Sequence, residues 1–148
     1  METIRQILTK KGNQVFSVTP ETTVYDTLKL MADKNIGAVL VLDEGKLVGI
    51  MSERDYARKV ILHGKFSKEI PVKEIMSANV ICIDPDQTIK NTKAVMIQKR
   101  VRHLPVMEDD KLVGIISIGD VVNAVLEENT FMIDQLYTYI KGIPETGD

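Results

Sequence analysis

The ten residues 46–55, "KLVGIMSERD", return with few changes at 111–120 as "KLVGIISIGD". Each copy is an apolar run that ends in a serine, with an aspartate three residues later. A shift of 65 residues aligns 15–60 with 80–125 without a gap, and fifteen of those 46 positions are identical. Ordinary composition would give roughly three identities. The duplication predicts two similar units that pack their apolar faces together about a pseudo-twofold axis.

Each copy predicts the same order of elements, β-α-β-β-α. Short apolar runs at 15–18 and 80–83 each end beside a proline and predict a strand. Apolar side chains at helical spacing follow from Val24 in the first copy and from Ile89 in the second. Two apolar runs around a polar turn then predict an antiparallel hairpin, and a further helix begins after each repeated serine. The expected fold class is therefore α+β.

The predicted organisation has five segments. They are a helical lead-in at 1–14, a first repeat at 15–64, a connector at 65–79, a second repeat at 80–128, and an amphipathic helix with a frayed tail at 129–148.

The last of these helices carries large apolar side chains that two small sheets do not need. They are Phe131, Leu136, Tyr137 and Ile140. An exposed apolar seam of this kind indicates a protein interface, so the sequence predicts a homodimer.

Composition excludes several classes of protein. With 44% hydrophobic and 27% charged residues, the 148-residue chain is typical of a soluble globular protein. A net charge of −2 disfavours a general nucleic-acid or anionic membrane surface. No apolar run approaches the ~18 residues of a membrane span. The expected location is the cytoplasm, with neither DNA nor a membrane as a partner.

Residues with catalytic or metal-binding chemistry are sparse. Two histidines and one cysteine lie scattered along the chain, so no metal site is predicted, and no catalytic motif is present. The single cysteine, Cys82, has apolar neighbours and is expected to be a buried, inert thiol. The chain is therefore not expected to be an enzyme.

The duplicated unit resembles a CBS domain, and the chain resembles a stand-alone tandem pair of them, a Bateman module. The resemblance rests on the gap-free repeat, the element order and the family signature of glycine, hydrophobic, any, Ser/Thr, any, any, Asp. That signature stands as "GIMSERD" at 49–55 and as "GIISIGD" at 114–120, and "RVRHLPVME" at 100–108 is similar to the family's second strand. The resemblance covers essentially all of residues 1–128.

The resemblance implies a regulatory fold that binds adenine nucleotides such as AMP, ATP, NAD or S-adenosylmethionine between its repeats. Asp55 with Ser52 would serve one cleft, and Asp120 with Ser117 the other. The aspartate would hold the ribose hydroxyls, while adenine would lie against the first strand and helix end of the opposite repeat. The candidate nucleotide-binding residues are Ser52, Arg54, Asp55, Val80, Ile81, Arg102, His103, Pro105, Ser117, Asp120, Ile36, Gly37, Ala38, Val15 and Phe16.

The chemistry of the signature agrees with this assignment but allows another. A carboxylate offers two acceptor oxygens to a ribose diol, and free N–H groups at a helix start attract phosphate. The same Ser-x-x-Asp spacing also suits a capping box, which only stabilises the helix. Both roles can coexist, and the residues alone leave both open.

Basic residues make the two clefts unequal. Arg54 precedes Asp55, and Arg102 and His103 lie on the second repeat's strand. The equivalent positions of the other cleft hold Gly119, Gly37 and Ala38. Because arginine forks onto phosphate, the tighter site is predicted in the cleft of Asp55. Arg102 and His103 alternate along the strand and are expected to face opposite ways, with Arg102 as the phosphate contact.

Three functional classes remain after these exclusions. The first is a nucleotide sensor that signals to an unknown partner protein, and the second is a structural homodimerisation module without a ligand. The third is a protein linked to nucleic acid. A serine and an aspartate in both signatures favour the first, and the lack of a basic excess disfavours the third.

Overall fold

The computed structural model describes residues 2–142. The first half consists of α1 (Ile4–Lys11), β1 (Ser17–Val18), α2 (Val24–Lys34), β2 (Ala38–Asp43), β3 (Lys46–Ser52) and α3 (Glu53–Tyr56), which continues as a π-helical segment, Ala57–Ile61. The second half consists of a 3-10 turn, Val72–Glu74, then α4 (Ile89–Lys99), β4 (His103–Glu108), β5 (Lys111–Ser117) and α5 (Ile118–Gly142). The α+β class and the two repeats are as predicted.

The two hairpins have the same register. Ala38 pairs with Ser52 across β2 and β3, and His103 pairs with Ser117 across β4 and β5. Each two-residue turn has a positive φ at both positions, which matches the right-handed twist of the strands. The hairpins therefore present their repeated serines at equivalent places in the two halves.

The predicted strand at 80–83 does not form. In the first half, β1 pairs with β2 in parallel, and the Leu40 N–H donates to the Phe16 carbonyl at 3.3 Å. The residue equivalent to Leu40 is Pro105, which has no N–H to offer Ile81. Only Ile83 pairs with β4, as an isolated bridge. The second sheet consequently has two strands where the first has three.

Each half has its own apolar core, and segments outside the predicted repeats contribute to both. Val72 and Ile75, from the predicted connector, lie fully buried in the first core. Ile4, Ile7 and Leu8, from α1, are buried in the second core. The N-terminal helix thus packs on the distant repeat, while the connector packs on the repeat that precedes it.

These two packing segments are themselves a repeat that the 65-residue shift conceals. "TIRQIL" at 3–8 and "PVKEIM" at 71–76 match under a shift of 68 residues. Equivalent backbone hydrogen bonds hold them: Val24 N–H donates to Ile70 O at 3.0 Å, and Ile89 N–H donates to Glu2 O at 3.1 Å. Each repeat is therefore completed by a short segment that enters from outside it.

The last helix is longer than predicted. α5 runs without a break from the second repeat into the segment where a separate helix was expected. Val121 and Ala124 are buried near its start, whereas residues 129–141 are all exposed. The predicted frayed tail at 143–148 lies outside the described residues.

Two further expectations concern burial and membranes. The expectation of a buried Cys82 is wrong, because the residue is exposed, as is its equivalent in β1, Ser17. Burial of part of its surface still raises the pKa of the Cys82 thiol. Within residues 2–142, no helix is long and apolar enough to cross a membrane.

Candidate functional site

Two clefts lie between the halves of the molecule, as the duplication predicted. The first has a volume of about 670 Å³ and contains Ser52 and Asp55, while the second, with Ser117, has about 370 Å³. Gly37 and His103 line both. A Cβ atom placed on Gly37 would lie 3.5 Å from Cε1 of His103, so this pair forms a thin common wall.

Both Ser-x-x-Asp signatures form reciprocal capping contacts. The Ser52 N–H donates to Oδ2 of Asp55 at 2.9 Å, and the Asp55 N–H donates to Oγ of Ser52 at 3.2 Å. In the second repeat the corresponding distances for Ser117 and Asp120 are 2.8 and 3.1 Å. The capping role is therefore real in both helices. It also holds each carboxylate in one orientation, and Asp55 lies in the lining of the first cleft.

Four arginines line the first cleft, facing only two carboxylates, Glu53 and Asp55. The arginines are Arg54, Arg58, Arg100 and Arg102. Sequence reasoning found Arg54 and Arg102 but missed the other two. Arg58 lies one helical turn after Arg54, so the i,i+4 spacing could have indicated it. The equivalents of the four arginines in the other repeat are uncharged: Gly119, Asn123, Asn35 and Gly37.

The second cleft has a different source of positive charge, which sequence reasoning missed. Nζ of Lys11, at the end of α1, lies 2.6 Å from Oδ2 of Asp120 and donates to the Ile115 carbonyl at 2.8 Å. Lys11 lines the cleft, and Asp120 lies behind it. Burial alone would raise the pKa of Asp120, but Lys11 and the Ser117 N–H together hold that pKa below its ordinary value.

The remaining predicted residues fall into three groups. Val80 and Ile81 line the first cleft. Phe16, Ile36, Gly37 and Ala38 line the second. Three predicted residues, Pro105, Val15 and Asp120, line neither cleft. Pro105 is buried within β4, and Val15 precedes β1.

Arg102 and His103 both line the first cleft, and His103 also lines the second. β4 begins at His103, and Arg102 lies in the bend before it. His103 is half-buried, and this burial lowers its pKa despite the opposing effect of Asp120. The imidazole is therefore neutral at pH 7, and the charge of this cleft comes from arginine.

The CBS domain family model matches residues 4–62 and 72–127 of the chain. The chain belongs to the CBS domain family. The two matched segments are the two halves described above, so the protein is a tandem CBS pair, as its sequence predicted. Each match includes one of the short packing segments, since the first begins in α1 and the second at Val72.

Related proteins match this chain over most of its length and most of their own. The mitochondrial CBS domain-containing protein CBSX3 of Arabidopsis thaliana is 37% identical over 95% of this chain and 72% of its own length. The CBS domain-containing protein YhcV of Bacillus subtilis is 31% identical over 87% of this chain and 90% of its own. Such CBS pairs are regulatory proteins.

Solved structures agree with the fold. A CBS-domain protein from Burkholderia ambifaria superposes with a TM-score of 0.83 at 46% identity, covering 85% of this chain and 95% of that one. A CBS pair crystallised with 5-methylthioadenosine and S-adenosyl-L-methionine superposes with a TM-score of 0.75 at 23% identity, covering 86% and 98%. This second likeness concerns the fold alone.

Proposed function

We propose that this CBS pair is a regulatory module that binds an adenine nucleotide of the AMP, ATP or NAD type and signals its presence to a partner protein. The observation that carries the proposal is the cluster of four arginines in the first cleft. A phosphate chain brought into a partly desolvated cleft needs such donors, because guanidinium groups bind phosphate through forked, charge-assisted hydrogen bonds.

The rest of the first cleft suits the nucleoside part of such a ligand. Val80, Ile81 and Ile118 supply apolar surface for a base. Asp55 supplies carboxylate oxygens for ribose hydroxyls, and its capping contact with Ser52 fixes where they lie. Ligand pockets commonly combine an apolar lining with a few oriented polar groups in this way. That the base is adenine and that a partner protein receives the signal are both parts of this proposal.

The test begins with a thermal-shift screen of AMP, ADP, ATP, NAD, NADH and S-adenosylmethionine. A ligand at 100 times its dissociation constant adds about 2.7 kcal/mol to the unfolding free energy. If none of them raises the melting temperature, the alternative of a structural module without a ligand replaces this proposal.

Calorimetry on two variants then tests the site. Arg102→Ala should lower the affinity for ATP by about tenfold or more, because a hydrogen bond to a charged group contributes about 1.5 to 3 kcal/mol. It should change adenosine binding little. Asp55→Asn should weaken both ligands while its amide oxygen keeps the helix cap. Lys93→Ala, which removes an exposed cation on α4 outside both clefts, is the matched control.

We also propose that the partner of α5 is the same helix of a second copy. Six of its residues follow one another at spacings of four and three: Val122, Leu126, Asn129, Ile133, Leu136 and Ile140. This heptad seam has the period of two helices that pack along their length. Its five apolar members are between 48% and 65% exposed. Charged residues Glu127, Asp134 and Lys141 lie off the seam.

The area of the seam suits a stable dimer. Met132, Tyr137 and Tyr139 flank it, and all three are more than half exposed. Burying roughly 100 Å² from each large apolar side chain would give about 800 Å² per partner, the size of a standard interface. A parallel pair places Asn129 opposite Asn129, where the two amides can hydrogen-bond. An antiparallel pair would set it against an apolar residue and leave it unpaired.

A further inference from the structure

Lys11 gives the second cleft a cation at a position where the first cleft has an uncharged residue. Its Nζ has three N–H bonds, of which one points to Oδ2 of Asp120 and one to the Ile115 carbonyl. The third is available to a ligand in the cleft that Lys11 lines. The residue equivalent to Lys11 under the shift of 68 is Asn79, which lines the first cleft without a charge.

The ammonium group is held in place by the packing of α1. Leu8 lies directly over β5 at Gly114, where an added Cβ would be 2.7 Å from a Leu8 methyl carbon. Gly12 ends the helix with φ near 94°, and its N–H donates to the Leu8 carbonyl at 2.8 Å. Only glycine adopts that φ readily, so the end of α1 is fixed one residue after Lys11. The lysine side chain is 31% exposed.

The first cleft is both larger and richer in positive charge than the second. The first has four arginines against two carboxylates in about 670 Å³. The second has one lysine against Asp120 in about 370 Å³, and His103 adds no charge because its burial keeps it neutral at pH 7. Phosphate charge is best matched where cationic donors are most numerous. A chain of two or three phosphates suits the first cleft, and one phosphate suits the second.

We propose that Lys11 is the phosphate-binding residue of the second cleft and makes it a site for a nucleoside monophosphate, while the arginine-lined first cleft takes a di- or triphosphate. This inference rests on the proposed function, since it assigns ligand classes to the two nucleotide clefts. The monophosphate accepts a hydrogen bond from the third N–H of Lys11, while the other two N–H groups keep their hydrogen bonds to Asp120 and to the Ile115 carbonyl. The N-terminal helix, which packs on the second repeat, thereby becomes part of one binding site only.

The experiment titrates the full chain, labelled with ¹⁵N, with AMP and with ATP while amide shifts are followed in both clefts. Gly12 and Ser117 report on the second cleft, and Arg54 and Arg58 report on the first. In the wild type we expect the tighter AMP site at Gly12 and Ser117, and the tighter ATP site at Arg54 and Arg58. The opposite distribution would overturn the assignment of ligand classes.

Lys11→Met is the deciding variant, with Lys10→Met as its matched control. Lys10 is the adjacent lysine of α1, 63% exposed, and it pairs with Glu2 and Glu127 rather than with the cleft. Lys11→Met should weaken AMP at the second cleft by about tenfold or more and leave ATP at the first unchanged. Lys10→Met should bind both as the wild type does. Lys11→Arg, which keeps the charge, should recover part of the AMP affinity.

The outcomes separate this inference from the proposed function. If Lys11→Met binds AMP at the second cleft as well as or better than the wild type, Lys11 is not a ligand and the inference fails, while nucleotide binding stands. If neither nucleotide shifts any reporter in the wild type, the proposed function and the inference both fail. Amide spectra of the free variants show whether each is folded. If Lys11→Met unfolds, loss of AMP binding in folded Lys11→Gln decides the matter.

Discussion

Asp55 and Asp120 occupy equivalent capping positions, yet different lysines lie against them. Lys59 lies 3.4 Å from Asp55, one turn along the same helix. Its equivalent in the second repeat is Ala124, which is buried and leaves no room for a long charged side chain. Lys11 pairs with Asp120 instead, from 109 residues away. The first carboxylate is thus neutralised locally, whereas the second depends on the docking of α1.

His103 should make the stability of the protein depend on pH. Burial lowers its pKa in the folded state, while Asp120 and Glu53 oppose this effect and Lys11 and Arg102 add to it. The unfolded chain, with a histidine pKa near 6.5, therefore binds more protons as the pH falls. The resulting stability is complete above pH 6.5 and is lost as the pH falls towards the folded-state pKa.

Urea unfolding at pH 7.5 and pH 5.5 measures this effect. We expect the unfolding free energy of the wild type to be lower at pH 5.5, with part of the loss due to His103. His103→Gln should show a correspondingly smaller loss. His63→Gln removes the other histidine, which is exposed, and should keep the wild-type loss. Equal losses in wild type and His103→Gln would contradict the assignment.

At the scale of elements, α2 and α4 end in the same left-handed conformation with different residues. Asn35 ends α2 at φ 54°, and Arg100 ends α4 at φ 55°. Asparagine tolerates this region far better than arginine does. Arg100 therefore lowers the stability of the helix end, and the residue lines the arginine-rich cleft. Strain of this kind commonly marks functional positions.

Arg100→Asn should separate stability from binding. We expect the unfolding free energy of the variant to be higher by about 0.5 to 1 kcal/mol, because asparagine adopts the left-handed conformation with less strain. The same variant should bind ATP more weakly, since the first cleft loses one of its four arginines. Thermal unfolding and calorimetry measure the two effects. Asn35→Arg, the reverse change in the other repeat, should lower stability, and a more stable Asn35→Arg would refute the strain argument.

Most elements could be predicted because the pattern of each one occurs in both repeats. The elements that were predicted wrongly have physical explanations. The missing strand at 80–83 follows from Pro105, whose lack of an N–H could have been read from the sequence. The buried connector residues Val72 and Ile75 were missed because their counterparts in α1 lie at a shift of 68 rather than 65. Aligning the sequence with itself at a shift of 65 residues identifies the two repeats but does not align the short segments that complete them.

At the scale of the whole molecule, the sequence predicted the lining of the first cleft better than that of the second. Ser52, Asp55 and Arg102 line the cleft where they were expected. Lys11 was missed because no local pattern indicates that the N-terminal helix packs on the distant repeat. Its contact with Asp120 depends on tertiary packing of Leu8 against Gly114, which spacing along the chain does not encode. Charge on the second cleft was therefore underestimated.

The heptad seam of α5 predicts how the whole molecule assembles, and light scattering tests it. At micromolar concentration we expect twice the chain mass of 16.6 kDa. Leu136→Asp should give a monomer, because two carboxylates would meet in an apolar seam. The residue is 61% exposed within one chain, so the change should leave the fold of that chain intact. Thr138→Asp adds the same charge off the seam and should remain dimeric.

Cross-linking then decides the orientation of the two helices. In a chain with Cys82→Ser, a cysteine at position 133 faces its own copy only if the helices are parallel and in register, since disulfides need Cα atoms within about 7 Å. Ile133→Cys should therefore form a disulfide-linked dimer under mild oxidation, while Asp134→Cys, one position off the seam, should not. A dimer that survives Leu136→Asp and cross-links at neither position would place the interface elsewhere, on the exposed faces of the CBS repeats rather than along α5.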